Sequence, residues 1–443
     1  MRRILTAAEY ERVLLELSPD ERKCAAETVA RAARELMARH GLRRAVFLCH
    51  RALRGIGVMA AELLGASIAD LQNHDLPDLT DALVCDLLFP SGSTNLVNAI
   101  ADSGSPVLSV GIPVGVDPDP GEAGDRAVRA EITVAPFGYL PGVFLHDGLE
   151  YCGQIRPIGG EAEEGLLRFE TADAEKHLPP RKRTAHKGDS GKALLCVGSP
   201  KYVGAALLSA RACLAAGCGI LFVACPDVVR EAMWRLPEAI GVPVGPDWQA
   251  ESCGKAIQAM TGMCACGIGC GVGDGDVAPL MEAALKTGLP LVLDADGLNC
   301  LSRHRELYAL LHEKVILTPH PGEMSRLTGL SIRKVLEDPI AIAGDWARRW
   351  SCVVLLKGAA TVVSNGERTC IVAEGNGGLG KGGSGDVLTG IITGLLAQGV
   401  EPYWAACLGS YLLGASAEKA FDILKERMLR ATHVIEALTE WNE

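Results

Sequence analysis

Residues 375–398 read Gly-Asn-Gly-Gly-Leu-Gly-Lys-Gly-Gly-Ser-Gly-Asp-Val-Leu-Thr-Gly-Ile-Ile-Thr-Gly-Leu-Leu-Ala-Gln. A glycine-dense loop runs into an apolar helix, expected to begin after Asp386, with that carboxylate at the junction. The unpaired N–H groups of a helix start, beside backbone without β-carbons, form a ready site for phosphate. An acid at the same junction stands close enough to take a proton from a hydroxyl attacking phosphorus. The stretch points to phosphoryl chemistry on an α/β fold. Two other readings compete. Gly375 to Lys381 satisfies Gly-x-x-x-x-Gly-Lys, but a P-loop continues with Ser or Thr to hold Mg2+, and residue 382 is Gly. A purely structural glycine loop, letting two helices pack, draws support from Gly390 and Gly394, four residues apart.

Upstream of this loop, residues 193–197 and 219–224 read as buried strands around a helix over about 204–216. Further strands are expected at 264–268, 290–293, 314–317, 353–356, 360–363 and 369–373, with helices filling most gaps. Ligands of open α/β sheets collect beyond the carboxyl ends of the strands, and four loops lie at such ends. Gly267-Ile268-Gly269-Cys270-Gly271-Val272-Gly273 permits close backbone approach to a ligand, or is a plain tight turn. Asp294 and Asp296 at a strand end suit Mg2+ through water or a substrate; alternatively Asp296 caps the next helix. Thr318-Pro319-His320-Pro321-Gly322-Glu323 is stiffened by two prolines that hold His320 and Glu323 at the sheet edge. Lys357-Gly358-Ala359-Ala360-Thr361 offers a lysine among small neighbours, suited to nucleotide phosphate or ribose, or an exposed turn lysine.

A chain of 443 residues exceeds one ordinary core and implies two domains or more. The net charge of −11, without a basic block, argues against nucleic acid. No apolar run reaches the roughly eighteen residues of a membrane span. Glu9, Glu11 and Glu16 exclude a secretory h-region. Of sixteen cysteines, Cys196, Cys225 and Cys407 lie in apolar runs, which fits buried free thiols of a reducing cytosol. Cys253, Cys264, Cys266 and Cys270 lack paired CxxC knuckles and read as small residues lining a strand-to-loop passage, so no protein metal site is assigned. A cytoplasmic protein is expected.

In the first half, Ser18-Pro19-Asp20-Glu21 has the signature of a helix start, and Gly41 stops that helix after His40. Apolar runs at 45–49, 82–88 and 106–110 alternate with helical segments, which argues for βαβ units and a parallel sheet in a Rossmann-like three-layer domain. Residues 159–186, with acidic residues and then Pro179-Pro180-Arg181-Lys182-Arg183, break the pattern. The boundary is placed near 170–185, giving domains 1–170 and 175–443.

Together the motifs of the second half resemble the ribokinase-like fold, and more closely the ADP-dependent NAD(P)H-hydrate dehydratases. The resemblance covers roughly 175–440 and includes His186-Lys187-Gly188, Gly198-Ser199 with Gly204-Ala205-Ala206, the Asp294–Asn299 and Thr318–Glu323 segments, Leu356-Lys357-Gly358, and Gly382-Gly383-Ser384-Gly385-Asp386. It implies phosphorylation of the hydroxyl of hydrated NADH or NADPH by ADP (ATP being the alternative donor), with Mg2+, followed by elimination of phosphate. It implies Asp386 as general base, the amides of Gly383, Ser384 and Gly385 as anion hole, and Lys357, Gly358, Ala359, Ala360 and Thr361 with Gly385 as adenine nucleotide contacts. Ala205, Gly271, His320 and Asp386 would meet the hydrated dinucleotide. A homo-oligomer is expected. Cys270 stands where the family usually has Pro, and Leu413 where it usually has His.

The first half resembles the NAD(P)H-hydrate epimerases through its strand order, Asp86, and Ala127 to Val134. The family's Asn-Asn-Gly-Gly-Asp-Gly loop falls on Arg51 to Gly57, so both asparagines become Ala52 and Leu53 and the acid becomes Ile56. Its Asp-Ile-Pro-Ser-Gly motif falls on Gly111 to Gly115, replacing the catalytic acid by Gly111 and a cation-binding serine by Val114. The fold is expected without epimerase activity. A ribokinase-fold small-molecule kinase and a non-catalytic nucleotide sensor are the competing functions.

Overall fold

The computed structural model describes residues 1–69, 77–89, 92–181 and 183–440; Lys182 of the expected linker lies outside them. The chain divides into two compact units, Met1–Arg168 and Phe169–Glu443. Among the described residues no helix is long and apolar enough to cross a membrane.

In the first unit, six strands form a parallel sheet in the order Ser67–Ile68, Arg44–Cys49, Ala82–Leu87, Val107–Val110, Ile132–Pro136, Gln154–Ile158. Every residue of the Ala82–Leu87 strand is buried, as befits a parallel sheet covered on both faces. The helix Pro19–His40 starts in a capping box: the Glu21 N–H donates to Ser18 Oγ (3.3 Å) and the Ser18 N–H to Glu21 Oε2 (2.8 Å). It ends at Gly41, whose φ of 67° a β-carbon would disfavour. Val29, Ala33 and Leu36 on its buried face follow the 3.6-residue period. The edge strand Gln154–Ile158 carries Arg156 and Pro157, a composition that reads as loop and is tolerated only at a sheet edge.

In the second unit the sheet order is Thr369–Val372, Thr361–Ser364, Val353–Leu356, Val315–Leu317, Leu291–Leu293, Ala265–Ile268, Lys192–Cys196, Ile220–Cys225, Ala239–Pro243. The two strands at the Thr369 edge are antiparallel and the remaining seven run parallel. The first of these in sequence, Lys192–Cys196, is flanked on one side by the second and on the other by Ala265–Ile268. Strand order therefore reverses there, which is where open α/β sheets form a ligand crevice.

The helix after the glycine loop spans Ser384–Ala397 and is buried from Val387 onward. It does not begin after Asp386. Gly383, at φ 103°, makes the turn at the N-cap, so Asp386 lies inside the first turn, where the helix dipole favours a carboxylate. The packing role foreseen for Gly390 and Gly394 is also realised. A β-carbon on Gly390 would collide with the Ser209 carbonyl oxygen, and one on Gly394 would stand 2.7 Å from that of Cys213. The glycine stripe thus seats this helix against the backbone of Val203–Ala215.

Candidate active site

Adjacent parallel strands deliver their carboxyl-terminal residues to one edge of the sheet. Asp294 follows Leu291–Leu293, His320 follows Val315–Leu317 by three residues, and Lys357 follows Val353–Leu356. Asp294 is 1% exposed. Its Oδ1 accepts from Lys357 Nζ at 2.8 Å and its Oδ2 from Thr389 Oγ1 at 2.9 Å. Lys357 Nζ also lies 3.7 Å from Glu323 Oε2. Burial by itself would lower the Lys357 ammonium, but the charges of Asp294 and Glu323 outweigh it and hold the group above its ordinary value. Burial raises the Glu323 carboxyl.

The start of the Ser384–Ala397 helix rests on this buried pair. A β-carbon at Gly385 would stand 3.3 Å from Asp294 Oδ2 and 3.7 Å from Lys357 Nζ, so glycine keeps the approach open. The first intrahelical bond runs from the Val387 N–H to the Gly383 carbonyl (3.1 Å), so the N–H groups of Ser384 and Gly385 have no carbonyl one turn behind them. Asp386 is half-buried in the same turn. Burial, with the neighbouring charge of Asp294, pushes its carboxyl up to about 6. The arrangement offers free main-chain donors and, beside them, a carboxylate that titrates near neutrality.

The structure brings Asp386, Gly385 and Lys357 together directly. Lys357, however, turns its ammonium inward to Asp294 rather than standing as an exposed turn lysine. The Gly358–Ala359 turn is exposed beyond it, Ala360 is buried, and Thr361 opens the next strand. His320 is the N-cap of Pro321–Thr328: its Nδ1 accepts from the N–H groups of Gly322 (3.0 Å) and Glu323 (3.4 Å), which puts the ring proton on Nε2. The Glu323 carboxylate completes the box by accepting from the His320 N–H at 2.8 Å. Burial, then the Lys357 charge, lowers the imidazole.

Ala205 and Gly271 meet at the strand-order reversal. Gly271 has φ 65°, and a β-carbon there would stand 2.7 Å from that of Ala205 and 2.8 Å from that of Tyr202. Next to them opens a pocket of about 320 Å3, bordered by Ser199, Lys201, Tyr202, Trp248, Gly273 and Asp296. Trp248 Nε1 donates to the Gly198 carbonyl at 2.7 Å, and Ser199 Oγ is buried without a hydrogen-bond partner in the protein. Asp296 is not a helix cap. The N-cap is Ala295, in a strained conformation at φ 48°, while Asp296 Oδ2 accepts from the Gly273 N–H at 2.7 Å and ties down the glycine loop.

Trp248 and Thr389 escaped the sequence reading, which quoted Ser199 within Gly198-Ser199 but gave it no role: Trp248 carries no motif, and Thr389 is hidden inside an apolar helix. The P-loop alternative fails on Lys381, whose Nζ donates to the carbonyls of Arg427 (2.7 Å) and Leu429 (2.8 Å). Of the cysteines considered together, Cys270 adjoins Asp294, Cys253 faces the Asp276 carbonyl, and Cys264 is exposed.

In the first unit a pocket of about 500 Å3 opens beside Phe89, Ile112, Pro113, Val114 and Gly115, but the groups that would carry epimerase chemistry there are replaced or engaged. Leu53 and Ile56 are buried in the core at the start of the helix Arg54–Leu64. Gly111 has φ 89°, and a β-carbon there would lie 3.4 Å from the Tyr10 ring. Asp86, fully buried, accepts at Oδ1 from the Leu88 N–H (3.1 Å) and at Oδ2 from Ser109 Oγ (2.9 Å) and the Val114 N–H (2.8 Å).

Residues 193–440 match the family model described as NAD(P)H-hydrate dehydratase. The bifunctional NAD(P)H-hydrate repair enzyme of Moorella thermoacetica is 32% identical over 400 residues, covering 85% of this chain and 75% of its own. A crystal structure of the ADP/ATP-dependent NAD(P)H-hydrate dehydratase of Bacillus subtilis, co-crystallised with ATP and Mg2+, is 30% identical with a TM-score of 0.55, covering 63% of this chain and 98% of its own. A ribokinase-like superfamily protein of Enterococcus faecalis, 23% identical with a TM-score of 0.54 over 64% of this chain and 97% of its own, shares the fold.

Proposed function

Since the chain belongs to the NAD(P)H-hydrate dehydratase family, we propose that its second unit dehydrates hydrated NADH or NADPH at the expense of ADP. The observation that carries this reading is the half-buried Asp386 carboxylate in the first turn of a helix whose leading N–H groups are free. Asp386 accepts the proton of the ring hydroxyl as that oxygen attacks the terminal phosphorus of the nucleotide and the bond to the AMP oxygen breaks. The N–H groups of Gly383, Ser384 and Gly385 hold the charge on the transferred group. The phosphorylated hydroxyl then departs as phosphate while the neighbouring ring carbon gives up a proton to solvent or the departing phosphate, restoring the ring double bond, a step for which hydroxide would be a poor leaving group. Lys357 to Thr361 take the nucleotide, and Ala205, Gly271 and His320 border the dinucleotide.

Mg2+ fits as a companion of the nucleotide rather than as a resident ion. Both oxygens of Asp294 are engaged by Lys357 and Thr389, and Glu323 by the His320 N–H, so these acids form no all-protein cage. Asp296 is likewise engaged, by Gly273 and Asn299, and Asp386 is left to meet the waters of an ion held chiefly by phosphate oxygens, where it would neutralise phosphate charge. The first unit, on this reading, keeps an epimerase fold without its chemistry, because Gly111 and Val114 offer neither a proton carrier nor a cation ligand.

Incubation with the S epimer of NADH hydrate and ADP should release AMP and phosphate and restore dihydronicotinamide absorbance. A stable phosphorylated dinucleotide would instead mean a kinase, and ATP outpacing ADP would reassign the donor. The R epimer should persist until an authentic epimerase is added.

A further inference from the structure

Away from the site just described, the helix Asp296–Arg303 carries Cys300, and His304 follows one turn later, its N–H donating to the Cys300 carbonyl at 3.1 Å. Both side chains converge on Asp276, from the loop before the helix Ala278–Thr287. Asp276 Oδ1 lies 3.5 Å from Cys300 Sγ and 3.5 Å from His304 Nε2, and one donor atom from each of the three residues falls within 4.8 Å of the others. We propose that Asp276, Cys300 and His304 form a zinc(II) site.

The two distances from Asp276 Oδ1 are those between ligands on a tetrahedral ion: metal–ligand bonds of about 2.0–2.3 Å place neighbouring donor atoms about 3.3–3.6 Å apart. Thiolate, imidazole and carboxylate together select zinc over Mg2+ or Ca2+, which take oxygen alone. A second feature points the same way. His304 Nδ1 lies 3.1 Å from Glu306 Oε1, the carboxylate–histidine contact that fixes ring orientation behind a metal. The Asp276 main chain is also anchored, its carbonyl accepting from Cys253 Sγ at 3.6 Å, while its Oδ1 accepts from the Ala278 N–H at 3.0 Å. Cys300 is buried, His304 half-buried and Asp276 exposed, so the fourth position opens to water.

One helix then grips the glycine loop at both ends. Asp296 at its start holds the Gly273 N–H, and the metal at its finish holds Asp276, three residues further along that loop. Zinc would brace the segment that borders the 320 Å3 pocket. The inference stands whether or not the dehydration reading does, because it is read by metal content and spectra.

The test uses the full chain freed of metal by a chelator, then loaded with zinc or cobalt(II) alone. One equivalent should be retained through dialysis. The cobalt form should show a thiolate charge-transfer band that disappears in Cys300→Ser, weakens in His304→Gln, and persists in the exposed-cysteine control Cys264→Ser. Glu306→Gln should reduce zinc affinity about 10–100-fold, which a plain hydrogen-bonded cluster would not do. Failure to retain metal overturns the site, as does a band that survives both Cys300→Ser and His304→Gln.

Discussion

Asp86 in the first unit and Asp386 in the second are alike by titration and opposite in geometry. Burial pushes each carboxyl up to about 6. Asp86 has both oxygens occupied by three donors of its own unit and is sealed from solvent. Asp386 is only half-buried and stands beside main-chain N–H groups that the helix leaves free. A displaced pKa therefore does not mark a working acid or base. The working group is the one whose lone pairs are still available to a substrate.

The largest expected break between the two comes from removal. Asp386→Ala should lower turnover about 10²–10⁴-fold while adenine nucleotide still binds by calorimetry; a smaller loss would return Asp386 to the company of Asp86. Acid should act next. Because the base must be ionised, the rate should fall about tenfold per pH unit below about 6, and a profile level to pH 5 would break the assignment. Stability runs the other way. Each raised carboxyl binds its proton more tightly folded than unfolded, so its contribution is present below about pH 4 and fades as pH rises to about 6.

Asp86→Ala should then cost about 1–3 kcal/mol in urea unfolding, since the Leu88 and Val114 N–H groups and the Ser109 hydroxyl lose their acceptor. Dehydration by the folded fraction should be unchanged. The smallest effect is expected of Gly111→Asp, which restores the family's acid in name. With φ at 89° and the Tyr10 ring adjacent, the side chain is strained in place, and epimerisation should stay at background. Clear turnover of the R epimer by this variant would mean that the lost acid alone silenced the unit.

Most strands of both sheets were legible because buried parallel strands are short unbroken apolar runs, such as Val353–Leu356, although Ser67–Ile68, Ile132–Pro136 and Ala239–Pro243 were not read as strands. The capping box at Ser18 and the stop at Gly41 are local chemistry and were equally plain. What escaped depends on partners distant in sequence. Gln154–Ile158 forms a strand only because an edge tolerates Pro157. Asp296 read as either a ligand for Mg2+ or substrate or a helix cap, yet its oxygen goes to Gly273, 23 residues away. The Lys357 ammonium looked free for phosphate, yet it faces Asp294, 63 residues away. Motif spacing located the edge where these groups meet, but not which of them would neutralise one another.

That last pairing has a consequence for how the nucleotide is received. Were Lys357 an uncharged residue, Asp294 would confront the incoming phosphates as a bare anion under the cradle, and it would drive Asp386 still further from ionisation. By cancelling a charge beneath the floor, the lysine makes room for another above it, and it can govern anion affinity and base strength through Asp294 in addition to any direct contact with the nucleotide.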